Sequence, residues 1–120
     1  MRKMLVALLI VTIIGALWFF EERAVNKICE SMLGNIESLK AQDNSKELIE
    51  KTDKAWKKHE GILEMLAPHE NVDEININWA AYKSRIKKGD YTAAEYKLDE
   101  MSQRFKELDE KMKVSFENIF

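Results

Sequence analysis

The stretch "APHENVDEIN", Ala67 to Asn76, holds the chain's only proline, one of its two histidines and three carboxylates. Proline lacks an amide proton, and its ring disfavours helical geometry in the residue before it. On both sides of Pro68 the apolar residues recur at steps of three and four. Upstream the series is Ile49, Thr52, Trp56, His59, Leu63 and Leu66, flanked by Leu48, Ala55 and Ile62. Downstream it is Val72, Ile75, Trp79, Tyr82 and Ile86. Such spacing puts each series on one face of a helix. The proline therefore divides what would otherwise be one long coiled coil into two helices that meet at a corner.

The same pattern extends outward from this corner. Val25, Cys29, Met32, Ile36 and Leu39, supported by Ile28 and Leu33, form an earlier stripe able to continue from the apolar N-terminus without a break. "AQDNSKE", Ala41 to Glu47, interrupts it, with Asn44 or Ser45 placed to cap a new helix and Glu47 placed to answer Asn44 in a capping box. Gly89 suits the end of a helix and Asp90 the start of the next. Tyr91, Ala94, Leu98, Met101, Phe105, Leu108 and Met112 then keep heptad spacing for three repeats. Period-two alternation occurs only at Ile75 to Ile77. The expected fold is all-α: an antiparallel bundle of about four amphipathic helices over residues 23–113, with short connections between consecutive helices.

Met4 to Phe20, "MLVALLIVTIIGALWFF", is a 17-residue run without charge, Thr12 carrying its only hydroxyl. As a helix it covers roughly 26 Å, a turn short of a hydrocarbon core of about 30 Å. A transmembrane anchor over residues 4–22 makes up the difference, with Trp18, Phe19 and Phe20 at the far interface. Arg2 and Lys3 precede the run, so residues 1–3 are expected in the cytoplasm and the bundle outside it. A cleaved signal peptide shares the basic start and apolar stretch but needs small residues at the cut. Here the run ends in Trp-Phe-Phe, and cuts after Ala16 or Ala24 would place Ile14 or Glu22 two residues upstream. The expectation is an uncleaved single-pass protein of the cell membrane, with the bilayer as its partner through residues 4–22.

Beyond residue 20 the chain carries 17 basic residues, the 19 of the whole chain less Arg2 and Lys3, against all 21 acidic ones, a formal charge of −4. The two signs are interspersed, which offers nothing to nucleic acid or to an anionic surface. Cys29 is the single cysteine, so a disulfide could only be intermolecular, and a small buried thiol is the expected role.

"HEGILE" and "HENVD" each begin like a zinc-protease helix, but the position one turn on holds Leu63 and Asp73 instead of a second histidine. His69 and Asp73 could still supply two metal ligands; the plainer expectation is that His69, Glu70, Asn71 and Asp73 cap and charge the start of a helix. His59 lies on an apolar stripe, where a hydrogen bond to a neighbouring helix is expected over a pH switch. The serines lack a strand-to-helix elbow and the four glycines are far apart, so neither a nucleophile nor a phosphate loop is expected. No catalytic residue and no cofactor is expected, and the chain is read as a non-enzyme. Trp56, Trp79 and Tyr82, with Phe105, could line a pocket between helices, or could be plain core. Phe116, Ile119 and Phe120, in the tail 114–120, could fold back on the bundle or meet a partner.

The order of features also resembles a known family. An anchor is followed by "AWKKHEGILEML" (residues 55–66), "PHENVDEININ" (68–78), "KKGDYTAAEYKLDEM" (87–101) and a closing "SFENIF" (115–120). Together these resemble the bacterial domain of unknown function numbered 4363, small membrane proteins found mostly in Firmicutes. The resemblance implies an anchored helical protein and brings no activity, cofactor or catalytic residue with it. The expected function is that of an accessory or assembly subunit acting through contacts with another protein or with itself. The alternative is an extracytoplasmic sensor or ligand-binding module using the pocket near Trp56, Trp79 and Tyr82.

Overall fold

The computed structural model describes residues 1–42 and 44–119, with the backbone alone for 115–119. The described residues form four helices: α1 (Arg2–Ala41), α2 (Lys46–Leu66), α3 (His69–Lys87) and α4 (Tyr91–Ile119). The backbone of α1 lies against those of α2 and α4, and that of α3 against the same two, whereas the backbones of the diagonal pairs do not approach one another. The helices therefore stand at the corners of a square in chain order, each antiparallel to the next, as short connections demand. The molecule measures 69 × 22 × 21 Å, because α1 runs on past the bundle as a single helix of 40 residues.

The four stripes meet in one core. Val25, Ile28, Cys29, Met32, Ile36 and Leu39 come from α1, and Trp56 and Leu63 from α2. Val72, Ile75, Trp79 and Tyr82 come from α3, and Ala94, Leu98, Met101, Phe105 and Leu108 from α4. Across the core Trp56 meets Phe105 edge to face, ring centroids 5.7 Å apart, an arrangement the ring quadrupoles favour. Tyr91, the first member of the fourth stripe, is instead exposed, since it opens α4 above the core. Asn71, Asn78 and Ser102 are buried although no apolar stripe contains them.

The connections follow the backbone chemistry of their residues, with two corrections. α3 ends in a Schellman arrangement: Gly89 at φ 74 donates to Ile86 O, and Asp90 N donates to Arg85 O. Asp90 then caps α4 through Oδ1, which accepts from Ala93 N at 3.2 Å. The capping box expected before α2 is not made. Ser45 is the cap residue and has no side-chain cap hydrogen bond. Asn44 takes φ 59, which asparagine tolerates better than most residues, and its side chain is used elsewhere: Tyr82 OH donates to Asn44 Oδ1 at 2.6 Å. At the proline corner Ala67 and Pro68 alone link α2 to α3, and Pro68 occupies the cap position. Asn71 does not cap α3; it is buried, and its Oδ1 accepts from Lys111 Nζ at 3.1 Å.

Cross-helix ties fix the levels along the bundle. Asn26 Nδ2 donates to both carboxylate oxygens of Asp109 at 3.1 and 3.2 Å, and Lys40 pairs with Asp99 at the other end of the same seam. Between α3 and α4, Lys111 reaches Asn71 and Arg104 Nε sits 2.8 Å from Glu74 Oε2. The Ala67–Pro68 corner therefore lies level with about residues 110–114 of α4 and about residues 21–29 of α1, counting one-for-one along antiparallel helices.

Candidate functional site

α1 has two halves of different chemistry on one continuous backbone. The side chains from Val25 to Leu39 that face the bundle are buried. Met4 to Leu17, by contrast, present Leu5, Leu8, Leu9, Val11, Ile13 and Leu17 to the exterior, each at least half exposed. α1 is the one helix among the described residues that is long and apolar enough to cross a membrane, and none of its most apolar window is buried. Thr12 Oγ1 donates to Leu8 O at 2.8 Å, so the run's hydroxyl is satisfied within the helix. Where the run meets charge, the Arg23 guanidinium lies 5.6 Å from the centre of the Phe19 ring, one turn earlier.

The polar centre of the bundle is the seam between α2 and α3. Trp56 Nε1 donates to Asn76 Oδ1 at 2.7 Å, and Trp79 Nε1 donates to Asp53 Oδ1 at 2.7 Å. Each tryptophan thus finds an acceptor three residues before the other tryptophan, and the two antiparallel helices exchange the same contact. Asn76 Nδ2 passes the chain on to Glu60 Oε1 at 3.0 Å. Asp53 also receives Lys83 Nζ at 2.9 Å and Lys57 Nζ at 3.2 Å. Burial pushes its carboxyl up, but the hydrogen bonds from Trp79, Lys83 and Lys57 outweigh that and hold it at about 2. The signal in the sequence is the recurrence of Asp-x-x-Trp and Asn-x-x-Trp on consecutive helices, residues 53–56 and 76–79. Reading apolar periodicity alone passes over it, because Asp53 and Asn76 fall beside the stripes.

Trp56, Trp79 and Tyr82, the candidate pocket residues, are core side chains 2, 3 and 0 % exposed. Trp79 and Tyr82 stack at 5.2 Å with 18° between their planes, and Lys83 Nζ lies 5.5 Å from the Trp79 ring centre. Burial raises the Tyr82 phenol to about 12. Open space adjoins them one turn away, in a groove of about 380 Å³ lined by Asn44, Ile49, Lys83 and Ile86 among others.

His69 opens α3 and is exposed, as is Asp73 one turn on. Among the described residues no group of three or more histidine, cysteine or carboxylate side chains is arranged to hold a metal ion. His59 is half-buried, and its Nδ1 has no hydrogen-bond partner among the described residues, so the bond expected to a neighbouring helix is not made there. Burial, with Lys58 beside it, lowers its affinity for a proton. Cys29 is a free buried thiol, pushed up to about 12 by burial and by the Asp109 charge. Phe116, Ile119 and Phe120 lie outside the residues whose side chains are described.

A comparison with known families gives one match. The family described as "Domain of unknown function (DUF4363)" matches over residues 19–119, from the end of the apolar run to the last turn of α4. No curated protein and no solved structure matches the chain.

Proposed function

The chain belongs to the family described as Domain of unknown function (DUF4363), and we propose that it is a single-pass membrane protein whose helical bundle works by contact with other proteins. The N-terminus lies in the cytoplasm and the bundle on the opposite side, as Arg2 and Lys3 ahead of the span favour. The observation that carries this is α1, whose first half exposes apolar side chains on every face while its second half supplies one wall of the core. A helix exposed in that way needs an apolar surrounding, and a bilayer provides one of the right thickness. The polar side chains at the centre hold one another across the α2–α3 seam, which suits a rigid scaffold presenting its outer faces.

An accessory or assembly role is tested by photo-crosslinking in the native membrane from the exposed positions Ile77 and Tyr96. A recurrent adduct with one other membrane or surface protein is expected. Adducts of the chain with itself alone would replace that role by self-assembly, and no adduct from either face would contradict both.

A further inference from the structure

We propose that the lower end of the bundle is a second membrane contact: the α2–α3 corner rests on the leaflet nearest the bundle, and the last turns of α4 enter its interface beside the anchor. This rests on α1 spanning the bilayer and adds to it. The levels are set by described contacts. α1 and α4 are tied by Asn26 with Asp109 and by Lys40 with Asp99. Ile119, ten residues past Asp109 on the same helix, falls level with residue 16 of α1 by the first tie and residue 20 by the second. That is the level of Trp18, Phe19 and Phe20, where the apolar run gives way to Glu21, Glu22 and Arg23. α4 therefore continues about 15 Å beyond Asp109, at 1.5 Å per residue, past the point where α1 becomes apolar.

The composition of that end fits the location. Met65 is 83 % exposed and Val114 54 %, and Ile62 and Pro68 are exposed beside them. Val114 also lines a shallow groove with Pro68, Glu107, Glu110 and Lys111. α4 runs on past Val114 to Ile119, and the sequence of those last turns, residues 115–119, holds a phenylalanine and an isoleucine against a single charge. Large apolar groups gathered at one end of a small bundle, at the height where its own anchor enters lipid, match an interfacial segment. Lys113 and Arg23 stand at the same height, where long basic side chains keep their charge among headgroups while their stems lie in apolar surroundings.

The test uses the full chain reconstituted in phosphatidylethanolamine–phosphatidylglycerol vesicles, with one nitroxide per variant at Leu9→Cys, Met65→Cys, Phe116→Cys, Ile119→Cys or Tyr96→Cys. Circular dichroism checks that each variant keeps its helix content. Relaxation by oxygen reports lipid and relaxation by a water-soluble nickel chelate reports solvent. Labels at Phe116 and Ile119 are expected to lose nickel relaxation relative to Tyr96 and to gain oxygen relaxation toward the Leu9 value, with Met65 between the two. Nickel relaxation at Ile119 equal to that at Tyr96 would overturn the proposal. So would silence to both relaxants, which would mean packing on the protein, or dipolar broadening between labels at Ile119, which would mean a second copy. A solvent-exposed label at Leu9 would overturn the anchor itself, whereas a lipid-exposed Leu9 with a solvent-exposed Ile119 removes the second contact alone.

Discussion

Asp53 receives three donors, Trp79 Nε1, Lys83 Nζ and Lys57 Nζ, and the first of them belongs to a buried side chain, 3 % exposed. Removing the carboxylate strands a buried indole N–H, and stranding a buried donor costs about 1–3 kcal/mol. Asp53→Ala should lower the unfolding free energy of the detergent-solubilised chain by about that amount, and Asp53→Asn, which keeps an acceptor, by less. Urea unfolding followed by circular dichroism measures both. The depressed carboxyl adds a pH dependence of definite sign. Its stabilisation is present above the ordinary 3.8 and is lost as pH falls toward about 2. Thr52 is the opposite case: fully buried, with Oγ1 unpartnered among the described residues. Thr52→Val should stabilise the bundle by about 1 kcal/mol, since it removes a desolvated hydroxyl with little change of shape. A lower unfolding midpoint in that variant would show that the hydroxyl has a partner. Residue roles of this kind are the least legible part of the sequence, because Asp53, Asn71 and Asn76 act through contacts with other helices and leave no local periodicity.

Among the elements, helix existence and order follow from the spacing of apolar residues, and Pro68 and Gly89 mark two of the three breaks by backbone chemistry alone. The break between α1 and α2 is legible only in part. Asn44 is there, but as a left-handed residue accepting from Tyr82 instead of a cap answered by Glu47. A side chain drawn off by a tertiary hydrogen bond cannot be anticipated from the local motif. At the α3–α4 turn Gly89 holds φ 74, a conformation in which a Cβ costs about 1–2 kcal/mol. Nothing lies within 4 Å of where that Cβ would be, so the expected penalty of Gly89→Ala is purely conformational. Thermal unfolding checks it, and a larger loss would point to packing not visible at the turn. The α2–α3 seam is the reciprocal of these turns: two tryptophans, each bonded to the helix opposite, space the pair and fix its register. A double-mutant cycle between Asp53→Ala and Trp79→Phe should show coupling, because each change removes the same hydrogen bond.

At the scale of the whole molecule, α1 joins an exposed apolar helix to a bundle wall without a flexible link, so the height of every element above residue 22 is set by the anchor. That connection is why the end of α4 falls at the level of Trp18 to Phe20, with the proline corner a little above it, about level with residues 21–29 of α1. The candidate pocket was legible as a cluster of aromatics, but only packing tells a lining from a core, and here the rings are buried. Everything proposed for function depends on where the bundle stands relative to the membrane. The most direct measurement is labelling of Tyr96→Cys in intact cells with a membrane-impermeant maleimide, with permeabilised cells as the reference. Tyr96 is 71 % exposed, far from the anchor, while Cys29 is buried with its thiol held protonated to about 12 and should give little background. An outward-facing anchored bundle predicts full labelling of a membrane-bound chain in intact cells. Labelling only after permeabilisation, or recovery of the chain in the soluble fraction without residues 4–22, would contradict it.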